Sequence, residues 1–251
     1  MNEENKIGII GMGFVGQILR RYYPYTKWYD PKDSESNLEA VFKCKYIFIA
    51  FNLVDNALGS YDEVSRYLSL MNDGTVVIIK STFAPGITDK LQEEHPNLNV
   101  VYNPEFLTEA TAWEDFTNPQ FQILGMPHKT LDLANELFEL LPPAPVRRII
   151  SPKDAEVLKH AQNTYYALKV TWFNQLYDAC NKIGSDYETV REILVQNPWV
   201  GNSHSMIFHK GYRGYGGKCL SKDPKALYIV TDMPIIKLME EYNDSLTRHA
   251  D

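Results

Sequence analysis

The stretch Gly11-Met-Gly-Phe-Val-Gly16 directly follows a short apolar run at residues 6–10 and has the pattern G-x-G-x-x-G. Taken alone this pattern is weak, because three glycines at this spacing also occur in plain tight turns. Here the apolar run predicts a strand before the glycines, and residues 14–22 predict a helix after them. A second predicted strand leads to Asp30, fourteen residues after Gly16. The order strand, glycine-rich turn, helix and strand is typical of a dinucleotide-binding unit.

Each glycine of this stretch has a physical reason to be there. Gly11 permits the tight turn, Gly13 lets the backbone approach a pyrophosphate, and Gly16 allows close packing of helix on strand. The Asp30 carboxylate can accept hydrogen bonds from a ribose diol and repels a 2′-phosphate, which favours NAD over NADP, although Lys32 weakens the preference. We therefore expect NAD to be bound by Gly11, Met12, Gly13, Phe14, Val15, Gly16, Asp30 and Lys32.

Strands and helices are predicted to alternate through the first 150 residues. Short β-branched runs predict strands at residues 6–10, 26–29, 45–51, 75–80, 99–102, 121–124 and 146–150. Amphipathic stretches between them predict helices at residues 14–22, 61–71, 86–94 and 130–141. This alternation indicates an α/β fold, a Rossmann-type doubly wound and mainly parallel sheet.

The pattern changes after Ser151-Pro152, where residues 153–183 predict one long helix that Gly184 can end. Its apolar residues recur every three or four positions, at Val157, Ala161, Tyr165, Leu168, Trp172, Leu176 and Ala179. Further helices are predicted at residues 187–195, 224–230 and 234–246, with an irregular loop at 197–217. We expect two domains: an NAD-binding domain at residues 1–151, and an all-helical domain at 152–251 that carries a cysteine loop.

Composition excludes several classes of function. The 251 residues carry a formal net charge of −7, so a nucleic-acid partner is not expected. No apolar run approaches the roughly 18 residues of a membrane span and no signal-like segment begins the chain, so we expect a cytoplasmic protein. Cys44, Cys180 and Cys219 are too widely spaced for a disulfide framework or a zinc motif, so no metal is expected. The first two are typical of buried apolar positions.

Cys219 differs, because it lies in the stretch Gly214-Tyr-Gly-Gly-Lys-Cys-Leu-Ser-Lys-Asp223. Lys218 and Lys222 beside it favour the thiolate form, although a loop thiol without any role is the plainer alternative. On the predicted long helix, Lys159 and Asn163 are four residues apart and share a face. Two such donors could stabilise an alkoxide, or they could be solvated helix surface.

Three more stretches complete a family pattern: Lys80-Ser-Thr-Phe-Ala-Pro-Gly86, Asn103-Pro-Glu-Phe-Leu-Thr-Glu109 and Glu156-Val-Leu-Lys-His-Ala-Gln-Asn163. With the cysteine stretch they resemble, in order and spacing, the motifs of the UDP-glucose/GDP-mannose dehydrogenase family. The resemblance covers almost the whole chain. Enzymes of this family oxidise the C6 alcohol of a nucleotide sugar to a carboxylate with two NAD⁺. The resemblance also implies a dimer that is built by the central helices.

The resemblance implies a catalytic set in which Cys219 forms a thiohemiacetal and then a thioester with the substrate. It implies that Lys159 and Asn163 stabilise the oxyanion, and that Asp223 and Thr82 hold a catalytic water. Glu105 would act in thioester hydrolysis as a general base. Further cofactor contacts are implied for Phe51, Asn52, Ser81, Thr82, Glu109 and Lys222. Substrate contacts are implied for Glu105, Phe106, Leu107, Lys159, Asn163, Phe208, Lys210, Tyr215 and Gly216.

The sequence also departs from the family pattern. Family members carry a second α/β domain that binds the nucleotide of the sugar, and this sequence stops at Asp251 before such a domain, as a fragment or a minimal form. Ser203 stands where the family often has an arginine, residues 51–54 replace a Thr-Pro segment, and residues 110–112 read Ala-Thr-Ala. These changes leave the hydride chemistry nearly whole. They leave the substrate open between a nucleotide sugar and a smaller sugar.

Two other functions therefore stay open beside the nucleotide-sugar dehydrogenase. One is a two-electron β-hydroxyacid dehydrogenase, which would not need Cys219. The other is a non-catalytic NAD-binding assembly protein. For the aromatic residues of the long helix, Tyr165, Tyr166, Trp172 and Phe173, the alternatives are a homodimer interface or a core within the chain.

Overall fold

The structure, a computed structural model, describes residues 6–51, 59–209 and 211–247. The chain divides into two compact units, Met1–Lys159 and His160–Asp251. The division falls inside the long helix, whereas the predicted domains, residues 1–151 and 152–251, meet at its start. Those predicted limits stay a prediction.

A seven-stranded sheet forms the centre of the first unit. Its strands are β1 (Ile7–Ile10), β2 (Lys27–Tyr29), β3 (Tyr46–Ile49), β4 (Val76–Ile79), β5 (Asn99–Tyr102), β6 (Phe121–Gly125) and β7 (Val146–Ile150). Their spatial order is β2-β1-β3-β4-β5-β6-β7. Neighbouring strands pair in parallel, except for β5 and β6, which pair antiparallel. The predicted α/β doubly wound fold is confirmed.

The helices of the first unit lie between these strands. They are α1 (Phe14–Tyr22), α2 (Leu38–Phe42), α3 (Gly59–Leu68), α4 (Ile87–Glu94), α5 (Ala112–Thr117) and α6 (Ala134–Leu140). A 3₁₀ helix at His128–Leu133 precedes α6, so the helix predicted at residues 130–141 is two elements. Helices α2 and α5 were not predicted, because five or six residues are too few to show a helical period.

Strand β3 shows why the sheet is covered on both faces. Ile47 and Ile49 belong to one buried apolar cluster, together with Val64 of α3. Tyr46 and Phe48 belong to a second cluster. Alternate residues of a strand point to opposite faces, so a strand that is apolar throughout must be buried on both sides.

The second unit is helical. It contains most of α7 (Pro152–Ile183), then α8 (Tyr187–Leu194), α9 (Gly217–Leu220), α10 (Asp223–Thr231) and α11 (Pro234–Thr247). A small antiparallel hairpin, β8 (Phe208–His209) and β9 (Tyr212–Arg213), lies in the segment predicted to be irregular throughout. Two-residue strands leave no alternation for a sequence pattern to reveal. Among the described residues, no helix is long and apolar enough to cross a membrane.

Helix α7 buries a different face from the one its apolar spacing marks. Tyr165 and Trp172, in the apolar stripe, are 55% and 58% exposed. The buried positions run instead through Glu156, Lys159, Asn163, Ala167, Val170 and Asn174. The core alternative for the aromatic residues is therefore wrong for Tyr165 and Trp172, and right for Phe173, which is buried. The spacing predicted the helix and not its buried face, because that face carries polar side chains.

Candidate active site

The glycine-rich turn joins β1 to α1 in the first unit. Gly11 has φ +97°, and a Cβ there would lie 2.5 Å from the Cβ and 2.6 Å from the nitrogen of Phe51. A Cβ on Gly16 would overlap the carbonyl oxygen of Gly11. Gly13 precedes the helix without a side-chain cap, so the first amides of α1 are left for another partner. Backbone crowding thus requires glycine at positions 11 and 16. The uncapped start of α1 is the kind of place where an anion can bind.

The turn lies where the sheet changes its winding direction. Strand β1 is flanked by β2 on one side and β3 on the other. Gly11 N donates to Tyr29 O at 2.8 Å, and Ala50 N donates to Ile10 O at 2.8 Å, which holds the carboxyl ends of all three strands together. Ligands of open α/β sheets bind at such a switch point.

Asp30 closes the same edge of the sheet. Its carboxylate accepts from Met12 N at 2.8 Å and from Lys32 N at 3.0 Å, and so ties the end of β2 to the glycine-rich turn. The half-buried carboxylate keeps lone pairs for further donors. That Asp30 accepts from a ribose stays a prediction.

The other predicted cofactor contacts of the first unit vary in burial. The buried Ser81 donates from Oγ to Phe51 O at 2.7 Å and joins the ends of β4 and β3. Thr82 follows it and is half-buried. Met12 and Val15 are half-buried, and Phe14 and Glu109 are exposed. Asn52 lies outside the described residues.

Lys159 and Glu105 form a buried ion pair. Lys159 Nζ donates to Glu105 Oε1 at 2.8 Å and to Glu105 O at 2.6 Å, while Glu105 Oε2 accepts from Leu107 N at 2.9 Å. Lys159 Nζ also lies 5.6 Å from the centroid of the Phe106 ring. Phe106 in turn packs edge-on against Phe121. Four predicted site residues are therefore in contact, in a place where water is largely excluded and electrostatic interactions are strong.

Lys80 is a charged residue of this region that the site prediction omitted. It follows β4 and is only 5% exposed. Burial lowers the pKa of its ammonium to about 7; the nearby Glu105 carboxylate opposes this shift and Lys159 adds to it. The available signal was its place in the sequence, as a lysine that ends the apolar run at residues 75–80.

A second polar cluster lies in the second unit around Asp223. The Asp223 side chain is buried and accepts from Asn163 Nδ2 at 2.5 Å and from Lys222 Nζ at 2.6 Å. His160 Nδ1 lies 3.1 Å from the Asp223 carbonyl oxygen. Three predicted residues are thus together. His160, which sequence reasoning missed, could have been found from its place one turn before Asn163.

Cys219 lies in α9, four residues before Asp223, and is exposed. Its carbonyl oxygen accepts from Lys222 N at 3.2 Å. Tyr215, earlier in the loop, is buried and is held through its backbone by Asn243 of α11, at 2.7 Å to Tyr215 N and 3.0 Å to Tyr215 O. Gly216 is the residue before α9. Cys44 and Cys180 are buried, as predicted.

The remaining predicted residues are not gathered with either cluster. Phe208, in β8, is exposed, with its ring 6.5 Å from that of Tyr177. Lys210 and the side chain of Lys218 lie outside the described residues. In the part of the chain that is described, no three metal-ligating side chains come together. That the Glu105 and Asp223 clusters meet at the Cys219 sulfur stays a prediction.

A glycine-rich turn at the switch point of a doubly wound sheet, with a carboxylate at the end of β2, defines a Rossmann-type dinucleotide-binding protein. Family comparison makes this specific. Residues 43–141 match the NAD binding domain of the UDP-glucose/GDP-mannose dehydrogenase family, and residues 153–245 match the central domain of the same family. The chain belongs to the UDP-glucose/GDP-mannose dehydrogenase family. The predicted resemblance and the predicted cofactor, NAD, are confirmed at this level.

Relatives agree with this assignment. UDP-glucose 6-dehydrogenase from Rhizobium meliloti is 32% identical over 61% of this chain and 36% of its own length. UDP-glucose 6-dehydrogenase YwqF from Bacillus subtilis is 30% identical over 73% of this chain and 43% of its own length. The chain thus spans less than half of these curated relatives.

Solved structures share the fold. That of UDP-D-ManNAc dehydrogenase from Pyrococcus horikoshii has a TM-score of 0.84 at 19% identity, covering 97% of this chain and 69% of that one. A UDP-glucose dehydrogenase from Pyrobaculum islandicum has a TM-score of 0.77 at 21% identity, with the same coverage. At these identities the likeness establishes the architecture alone.

Proposed function

We propose that this chain carries out, or forms part of, the NAD-dependent oxidation of a nucleotide-sugar C6 alcohol to the carboxylate, through a covalent intermediate on Cys219. One observation carries the proposal: an exposed cysteine lies four residues before a buried Asp223 that binds Asn163 and Lys222. The relatives named UDP-glucose 6-dehydrogenase support the choice of a UDP-glucose-like substrate.

The first unit would hold the cofactor. The amides at the start of α1 would face the pyrophosphate. Glycine keeps this turn tight, because a Cβ on Gly11 or Gly16 would collide with atoms of Phe51 or with the Gly11 carbonyl group. Asp30, already bound to Met12 N, accepts from the ribose diol. NAD⁺ supplies a hydride acceptor at each of the two oxidation steps.

The protein residues would handle the protons and the developing charges. In the first step the C6 alcohol loses a hydride and a proton and becomes an aldehyde. The Cys219 sulfur then forms a bond to that carbon, and the thiol proton passes to the carbonyl oxygen, which gives a thiohemiacetal. Lys159 and Asn163 donate to this oxygen whenever it carries negative charge.

Loss of a second hydride and a proton converts the thiohemiacetal into a thioester. Water then adds to the thioester carbon, the carbon–sulfur bond breaks, and the carboxylate leaves while Cys219 recovers its proton. Asp223 and Thr82 would orient this water, and Glu105 would take its proton. Water exclusion around the Lys159–Glu105 pair strengthens these interactions.

The test is an NADH assay with UDP-glucose and GDP-mannose. We expect two NADH for each sugar oxidised, and we expect Cys219→Ser to abolish formation of the acid. Cys180→Ala, which removes a buried thiol, serves as the control and is expected to keep its activity.

Each other result points to an alternative. Unchanged turnover in the Cys219→Ser variant, with one NADH per substrate, would exclude the thioester route and favour a two-electron dehydrogenase of the β-hydroxyacid type. NAD binding by titration calorimetry, with no NADH formed from either sugar, would favour the non-catalytic assembly protein.

We also propose a homodimer, because α7 leaves large aromatic side chains at the surface. Tyr165 and Trp172 lie two turns apart on one exposed face of this helix. Light scattering at micromolar concentration is expected to show a dimer, and Trp172→Glu is expected to shift it to monomer. A monomer in the unmodified protein would contradict the proposal.

A further inference from the structure

Glu156 is a buried carboxylate to which the proposed reaction gives no part. It lies in the first turns of α7 and is 0% exposed. Burial raises the pKa of this carboxyl group, and hydrogen bonds from Thr88 and Gly86 oppose the shift. No basic side chain among the described residues forms an ion pair with it. A buried charge of this kind needs other compensation.

The compensation comes from the start of helix α4. Glu156 accepts from Gly86 N at 2.5 Å, from Thr88 N at 2.9 Å and from Thr88 Oγ1 at 2.7 Å. The Gly86 and Thr88 nitrogens are amides that a helix leaves without a partner at its start, where the helix dipole also favours negative charge. Glu156 therefore lies at the amino end of α4, where a helix favours an anion, although it is 68 residues away from Thr88 in sequence.

This contact joins two segments that carry predicted site residues. Helix α4 follows directly from the turn at residues 80–86, which contains Ser81 and Thr82. Three residues after Glu156, α7 carries Lys159, whose Nζ binds Glu105 in the loop after β5. The first turns of α7 are thus fixed to both loops. A helix turns by about 100° per residue, so any slip of α7 on α4 would turn Lys159 away from Glu105.

We propose that Glu156 is a positioning residue, which fixes the first turns of α7 on the start of α4 so that Lys159 reaches Glu105. The inference rests on the proposed function, because Lys159 and Glu105 act on the substrate there. Because Glu156 is fully buried, it is assigned no contact with substrate or cofactor.

Asp186 provides a matched control for this inference. It accepts from Thr189 N at 2.9 Å and from Thr189 Oγ1 at 2.5 Å, which is the same pair of groups that Glu156 takes from Thr88. Asp186 is exposed and caps its own helix, α8, three residues ahead. Replacing either carboxylate by an amide removes its negative charge and turns one acceptor oxygen into a donor group. Of the two carboxylates, only Glu156 links distant site loops.

The experiment compares Glu156→Gln with Asp186→Asn. Lys159 is labelled in the folded protein with an amine-acylating reagent, and peptide mass spectrometry gives the labelling rate. Denaturant is added to the more stable proteins so that all have the same free energy of unfolding. We expect Lys159 labelling to rise about ten-fold or more in Glu156→Gln and to stay within about two-fold in Asp186→Asn. In the NADH assay we expect kcat to fall about ten-fold in Glu156→Gln while NADH affinity stays nearly constant.

Equal labelling of Lys159 in the two variants would overturn the inference, because Glu156 would then only stabilise the fold. If Glu156→Gln does not fold, Thr88→Val removes one of the three contacts and is expected to raise the labelling about three-fold. Unchanged labelling in that variant would overturn the inference equally. If the unmodified protein oxidises no sugar, the proposed function fails, and the labelling result still decides the role of Glu156.

Discussion

The two glycine-rich segments of the protein look alike in sequence and differ in what holds them. Each contains three glycines, at residues 11–16 in the first unit and at 214–217 in the second. Gly11 and Gly16 are required by main-chain crowding within their own turn and against Phe51. Gly217 also has a positive φ, +77°, but a Cβ there would meet no described atom within 4 Å.

The second segment is held by a side chain instead. A Cβ on Gly214 would lie 2.5 Å from Asn243 Oδ1, and Asn243 binds the backbone of Tyr215 on both its N–H and its carbonyl group. A turn defined by its own backbone is expected to be rigid, whereas a loop held by one amide side chain can be loosened by one substitution. We expect a rigid cofactor turn and an adjustable cysteine loop.

The largest difference is expected when the same substitution is placed in both segments. Gly11→Ala forces a Cβ into the Phe51 backbone at a left-handed φ and is expected to cost about 3 kcal/mol or more of unfolding free energy. Gly217→Ala meets only the conformational penalty of a positive φ, about 1 kcal/mol. Urea unfolding measures both. Equal costs would show that the two segments are constrained in the same way.

The next largest effect is expected for Lys80, which is buried in the first unit, whereas Cys219 in the second unit is exposed. Its pKa is lowered to about 7 in the folded protein, so above that pH the unfolded chain binds more protons than the folded one. Stability should therefore gain roughly 1 kcal/mol for each pH unit between about pH 7 and pH 9 from this group. The Lys80→Met variant should lack this gain.

Urea unfolding of wild type and Lys80→Met across that pH range gives the difference directly. Lys90→Met, at an exposed position on α4, controls for the loss of a lysine. Parallel pH curves for wild type and Lys80→Met would contradict a depressed Lys80 pKa.

The smallest effect concerns the side chain that holds the cysteine loop. Asn243→Ala leaves a buried N–H and carbonyl group of Tyr215 without their side-chain partner, at a cost of about 1–2 kcal/mol. We expect faster alkylation of Cys219 by iodoacetamide, since the loop opens more often. Ser245→Ala, on the exposed side of the same helix, should leave the rate unchanged. An unaltered rate in Asn243→Ala would mean that other contacts hold the loop.

Sequence reasoning found the cofactor turn because its geometry is local. Gly11 and Gly16 are set by their own backbone, and Asp30 is placed by the next strand, so their spacing together with the flanking strands and helix identifies them. Lys80 and Glu156 were outside the predicted site, although each is the first residue of a family motif, at residues 80–86 and 156–163. Their positions depend on burial and on partners far along the chain, which a single sequence does not show.

Helix α7 shows the limit most clearly. Its length follows from uninterrupted helix-forming residues that end at Gly184. Its apolar stripe marks the wrong side, because Glu156, Lys159 and Asn163 are buried with hydrogen-bond partners supplied by other segments. Sequence periodicity detects only the spacing of apolar residues. A helix face that is buried but polar therefore gives no such signal.

The sequence by itself determined the alternation of strands and helices, the glycine-rich turn and the family motifs, since these rest on local steric rules and on residue spacing. Only the tertiary structure decided which charges are buried and paired: Lys159 with Glu105, Asp223 with Asn163 and Lys222, and Glu156 with the start of α4. The physical reason is that burial and pairing depend on groups distant in the chain, and the free energy of a buried charge is set by those groups.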